Sequence, residues 1–234
     1  MAATAVTSCW RRTARYATYP PFVPTVKLAP GLSASRRWIT ITAEPTPNPD
    51  SLMFFPESRL VLGDGARSKE FKNKFETTES PLAEALFKVR GVTEVLLAPA
   101  HVTIRKSEGA EWDMVQPRIE TVMSQFYASG IPVMKGGSAA ESPASDGAYE
   151  EGSLEAQIVE LLEERIRPFV QQDGGDVEFH SFNADSGIVY LRMQGACSGC
   201  PKSGVTLQFG IKNLLEHYIP EVKEVMDIAE AQAE

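Results

Sequence analysis

Cys197 and Cys200 are the residues whose type and spacing point most directly to chemistry. They stand in the run Cys197-Ser198-Gly199-Cys200-Pro201, where two intervening residues let both sulfurs converge on one metal and Gly199 permits the tight turn that convergence needs. Thiolate is the ligating form. A helix beginning near Pro201 favours it, because free N–H groups and the macrodipole stabilise a negative sulfur. Taken alone, the spacing serves a cluster ligand pair, half of a zinc site or a redox dithiol. The third cysteine, Cys9, is far off near the N-terminus, so no disulfide framework forms and the usage suits a reducing compartment.

Other titratable residues carry less. His101, His180 and His217 show no His-x-x-x-His spacing, and single histidines of this kind are ordinarily packing or surface residues. Asp173-Gly174-Gly175-Asp176 supplies a turn between a helix and a strand, with glycine allowing positive φ. Glu160, Glu163 and Glu164 form a solvated helix face.

The elements that position the cysteines follow from periodicity. Ser153 caps a helix whose Leu154, Ile158, Leu161, Leu162 and Ile166 form one stripe, ended or kinked at Pro168. Asp176 to Phe182 and Ile188 to Gln194 alternate as two strands joined by the turn Asn183 to Gly187. After the cysteines, Leu207, Ile211, Leu214, Leu215 and Tyr218 mark a helix ended by Pro220, and Val222 to Ile228 adds a last strand. The order is α-β-β-α-β.

A second unit precedes this one. Strands are expected around Ile39 and Ile41, at Leu52 to Phe55, at Val92 to Leu97 and at His101 to Arg105. Ser80-Pro81 starts a helix that stops at Gly91, and Asp113 is expected to cap another carrying Val115, Ile119, Val122 and Phe126. This half has no cysteine, which leaves thiolate ligation to the other. Between them, glycine, serine, alanine, proline and acids make up 17 of the 19 residues from Lys135 to Ser153, a composition unable to bury a core. The expected organisation is a transit peptide over 1–37, an N-terminal domain over 38–134, a flexible linker over 135–152 and a C-terminal domain bearing the cysteine pair over 153–229.

The chain has 234 residues, 43% of them hydrophobic, and a mean hydropathy of −0.18, the make-up of a soluble globular protein. Its net charge of −8 hides an asymmetry: six basic and no acidic side chains precede Glu44, while 17 basic face 31 acidic ones from there on, a net −14. So acidic a body repels phosphate backbones and excludes non-specific nucleic-acid binding. No apolar run approaches the roughly 20 residues that span a bilayer, so no membrane role is expected. The arginine-rich, hydroxyl-rich, acid-free leader matches an organellar import signal, mitochondrial because arginine dominates its basic residues.

Several of these segments together resemble a known family. Arg165-Ile166-Arg167-Pro168 with Asp173-Gly174-Gly175-Asp176-Val177, then Gly195-Ala196-Cys197-Ser198-Gly199-Cys200-Pro201, and finally Tyr218-Ile219-Pro220-Glu221-Val222, resemble the C-terminal domain of the NifU/Nfu family. Thr46-Pro47-Asn48-Pro49-Asp50-Ser51-Leu52 resembles the opening of the Nfu N-terminal domain, where asparagine is common at the place of Asp50. The resemblance runs from about residue 40 to 228 and, with the leader, is to mitochondrial Nfu-type iron-sulfur scaffolds. It implies an α+β protein of two small α/β domains, located in the mitochondrial matrix and acting as a carrier, not an enzyme. The implied cargo is a 4Fe-4S cluster on Cys197 and Cys200; the implied partners are other cluster-assembly proteins and apo iron-sulfur proteins, including lipoate-synthesis and respiratory enzymes. Such a cluster takes four thiolates and the mature chain supplies two, so a cluster-bridged homodimer or higher oligomer is expected. The alternatives are a thiol-disulfide redox protein or a zinc module using the same pair. The thioredoxin-type reading expects a βαβ context, whereas this motif follows a hairpin strand.

Overall fold

The computed structural model describes residues 39–57, 60–63, 66–135, 149, 152–198 and 203–231. The leader expected over 1–37, nearly all of the linker expected over 135–152, and Cys200 lie outside the described residues.

The N-terminal half is built on a five-stranded antiparallel sheet of β1 (Ile41–Pro45), β2 (Ser51–Pro56), β3 (Lys69–Phe71), β4 (Val92–Leu97) and β5 (Val102–Lys106), in the order β1-β2-β5-β4-β3. Pro45 closes β1 on the sheet's edge, where a missing N–H leaves no ladder bond unmade. Helix α1 (Pro81–Leu86) starts as expected: Ser80 Oγ accepts from Ala83 N–H at 3.1 Å, with proline at the first helical position. Helix α2 (Trp112–Ser129) starts two residues earlier than expected. Glu111 is its N-cap, without a side-chain cap bond, and Asp113 lies in the first turn, where the helix dipole favours a carboxylate. Gly130, at φ +70°, ends it in a left-handed cap. Phe54, Leu82, Val95, Ile104 and Ile119 are wholly buried between sheet and helices.

The C-terminal half keeps the α-β-β-α-β order. Helix α3 (Leu154–Leu161) is capped by Ser153, whose Oγ accepts from Ala156 N–H at 3.2 Å. Pro168 does not end the helical run. A π-helical turn, Leu162–Ile166, widens the coil just before it, and the proline sits in the first turn of α4 (Arg167–Gln172), where its lack of N–H matters little. Then β6 (Gly175–Asn183) and β7 (Ile188–Gly195) form an antiparallel hairpin, α5 (Ser203–Tyr218) crosses over, and β8 (Glu224–Asp227) pairs parallel with β7. A short helix α6 (Ile228–Ala231) takes over where the last strand was expected to reach Ile228. Ile158, Val189, Leu191, Leu215 and Val222 fill the core of this half.

All described residues fall within one compact unit. Among them, no helix is long and apolar enough to cross a membrane.

Candidate metal centre

Strand β7 delivers the first cysteine. It ends at Gly195, whose φ of +65° turns the chain in a way L side chains resist, and Ala196-Cys197-Ser198 follows as a tight turn. Ala196 N–H donates to Gly174 O at 3.1 Å and Ser198 N–H to Gly195 O at 3.2 Å. Cys197 is only 9% exposed and packs into the core of the C-terminal half.

The floor beneath it is glycine. Gly175 pairs with Gly195 across the hairpin, and a Cβ on Gly175 would overlap the Cys197 sulfur while standing 3.0 Å from Gln194 O. A Cβ on Gly174 would stand 2.7 Å from Met53 Cγ, and one on Gly195 2.5 Å from Leu96 Cδ2. The Asp173–Asp176 segment, read from sequence as a plain turn, is therefore the cradle of the cysteine loop. Asp176 locks it in place: 2% exposed, its carboxylate accepts from Arg167 Nε at 2.9 Å and from its neighbour Val177 N–H at 2.8 Å. Burial pulls the Arg167 guanidinium down most strongly, but the pull of Asp176 and Glu163 together leaves it above its ordinary value.

The N-terminal half grips the same loop. Glu70 of β3 accepts from Gly195 N–H at 2.7 Å, Asn48 Nδ2 donates to Ala196 O at 3.2 Å, and Arg105 of β5 donates to Ser198 O at 3.3 Å. Ser198 Oγ reaches Glu94 at 3.5 Å, and Glu94 pairs with Arg105. Burial, opposed by the Gly195 N–H and Lys72, raises the Glu70 carboxyl above its usual range. Asn48 is buried within the Thr46–Asp50 segment: its Oδ1 accepts from Asp50 N–H, Thr46 Oγ1 donates to Asn48 O at 2.8 Å, and Asp50 pairs with Lys106 at 2.6 Å. Glu70, Glu94 and Arg105 carried no signal in the sequence. Asn48 did, through its motif.

The histidines stay apart from the sulfur's role. His101 is buried against Phe55, ring centroids 5.4 Å apart, and burial, partly opposed by Asp176, lowers its pKa to about 4. His180 and His217 are exposed. Among the described residues, no group of three or more His, Cys, Asp or Glu converges as a metal site.

A hairpin running straight into a glycine-floored cysteine loop, in a two-sheet α+β frame, defines a small protein organised around that loop. The family model for a NifU-like domain matches residues 158–226, and that for the N-terminal region of the Nfu/NifU scaffold protein matches 41–130. The chain is 45% identical over 194 residues to NifU-like protein 4, mitochondrial, of Arabidopsis thaliana, covering 83% of this chain and 68% of that one. It is 48% identical over 192 residues to NifU-like protein 5, mitochondrial, of the same plant, covering 81% and 68%. To the NFU1 iron-sulfur cluster scaffold homolog, mitochondrial, of Drosophila erecta it is 45% identical over 197 residues, covering 83% and 67%. The chain belongs to the NifU-like family, in the form that joins an Nfu N-terminal region to a NifU-like domain. It is a mitochondrial member, as the leader's composition led us to expect.

Proposed function

We propose that this chain is an iron-sulfur cluster scaffold and carrier, not an enzyme, whose cargo is a 4Fe-4S cluster held by Cys197 and Cys200. The carrying observation is the seat of Cys197: the first thiol of a Cys-x-x-Cys run, at the end of a hairpin strand, over glycines that leave room for its sulfur and nothing else. A relative that aligns over 197 residues of this chain is named an iron-sulfur cluster scaffold homolog. The cysteine set fits a shared cargo. Two thiolates per chain make half a ligand set, so two chains bridge one cluster. Handover is ligand exchange: each iron–thiolate bond to Cys197 or Cys200 breaks as a thiolate of the recipient apoprotein bonds the same iron, with no net oxidation. The boundaries 38–134 and 153–229, with a leader before and a linker between, complete the reading.

Anaerobic reconstitution, with iron and sulfide analysis and size determination, tests it. We expect about four irons per dimer, a brown chromophore, and transfer to an apo recipient. Cys197→Ser and Cys200→Ser should each abolish both cluster and cluster-dependent dimer. A monomer holding four irons overturns the bridging; a colourless dimer with one zinc, or a dithiol that cycles without iron, overturns the cargo.

A further inference from the structure

Cys197 is held by its neighbours' backbone on both sides, and the holders come from the other half of the molecule. Gly195 N–H, Ala196 O and Ser198 O are bound by Glu70, Asn48 and Arg105. These groups come from β3, from the loop between β1 and β2, and from β5, so the grip spans the N-terminal sheet. Apolar contact accompanies these bonds: the buried Leu96 lies over Gly195 and the buried Met53 over Gly174. The hydrogen bonds themselves are replaceable by water, and contacts of this polar kind between halves of a chain can open.

We infer that the N-terminal sheet is a clasp on the cysteine loop, closed in the empty chain and released when a second chain joins to share a cluster. The inference rests on the scaffold reading. A bridged cluster requires the thiols of two chains to meet on one set of irons, and Cys197, 9% exposed and packed into the C-terminal core, cannot reach across a subunit boundary while the backbone on both sides of it is held. A cluster that binds only the open form shifts the population toward it by its differential affinity.

The test uses the full chain carrying Cys9→Ser and Cys200→Ser, so that Cys197 is the sole thiol, and measures its alkylation by iodoacetamide without iron. Asn48→Asp is the informative change. It keeps the oxygen that accepts from Asp50 N–H, preserving the loop's own turn, but replaces the donor to Ala196 O with a carboxylate. We expect alkylation about tenfold faster, the opening expected from one lost buried hydrogen bond. The added negative charge raises a nearby thiol pKa and slows alkylation, so an increase cannot come from charge. Glu70→Gln keeps an acceptor for Gly195 N–H and should alkylate like the parent. Arg105→Gln releases Ser198 O and decides the matter if Asn48→Asp fails to fold. With all cysteines restored, the opened variants should also take up iron faster. Unchanged or slower alkylation in folded Asn48→Asp or Arg105→Gln overturns the clasp; faster alkylation with slower iron uptake overturns its release on loading. A parent that takes up no iron refutes the scaffold reading instead, separately from the iron-free alkylation result.

Discussion

Gly175→Ala is the sharpest probe of the cradle. Gly175 lies in β6 with a φ outside the left-handed region, so alanine meets no backbone strain and gains about 0.5–1 kcal/mol of strand propensity. Against that stands the added methyl, which overlaps Cys197 Sγ and presses Gln194 O at 3.0 Å and Cys197 Cβ at 3.1 Å. Gln194 O belongs to the paired strand and cannot retreat, so relief must come through the turn that carries the cysteine. Overpacking of this kind costs about 1–3 kcal/mol, and the net loss of about 1 kcal/mol left after that gain lowers the melting temperature of a chain this size by about 2–4 °C. Displacing the sulfur also lowers iron retained after anaerobic desalting. The matched control is Gly210→Ala on α5, where a Cβ meets nothing within 4 Å and alanine stabilises the helix by about 1 kcal/mol. Thermal denaturation by circular dichroism, with iron analysis on the same samples, reads both. Gly175→Ala melting within a degree of the parent with full iron refutes the cradle.

Asp176→Ala should cost about 1.5–3 kcal/mol in urea unfolding, because it leaves the mostly buried Arg167 guanidinium with the half-exposed Glu163 as its remaining acid and frees the Val177 N–H; a loss below about 1 kcal/mol would mean the pair is not holding the turn. His101 gives a pH signature: neutral in the fold with a pKa of about 4, it protonates near 6.5 once unfolded, so the unfolded chain binds the extra proton and stability is lost as pH falls between those values. About 2 kcal/mol of that loss is in place by pH 5, and His101→Leu should remove it. Glu70, raised by burial, works the opposite way, gaining stability as pH falls through the carboxylate range, and is unchanged by that substitution.

Much of the frame was legible because it is written in short-range patterns. The alternation of Val189, Leu191 and Met193 made β7, and the serines at 80 and 153 cap their helices through their own side chains. What escaped reading was set by distance. Strand β3 has three residues and no alternation of its own; it is a strand because β4 pairs with it. Pro168 reads as an end or a kink because a proline clashes with the turn before it; which of the two it is could be told only from the π-turn that precedes it and lets the run continue. The glycines of Asp173–Asp176 were visible, but their meaning needed Cys197, 22 residues beyond Gly175, to be laid on top of them. Asn48 and Ala196 stand 148 positions apart. Periodicity tells which face is apolar; it does not tell which carbonyl a buried amide will reach.

The proposed clasp and the proposed two-thiol site would also explain one another energetically. A partner on the same chain competes at an effective concentration of roughly millimolar, while a second chain at micromolar concentration is about a thousandfold weaker a competitor, a handicap of about 4 kcal/mol. Empty chains therefore close on themselves. Metal–thiolate ligation in small sites is worth about 10–16 kcal/mol for structural zinc, so a cluster bonded from both sides exceeds the handicap comfortably. On the proposed reading its bonds would be shared between two chains, and each chain that lets go would regain the contacts of Asn48, Glu70 and Arg105. Reclosure thus offsets part of the energy of surrendering iron, which a four-cysteine site buried in one chain could not do. A carrier needs that asymmetry: strong enough bonding to open the loop, and a closed state waiting to take the loop back once a recipient's thiolates arrive.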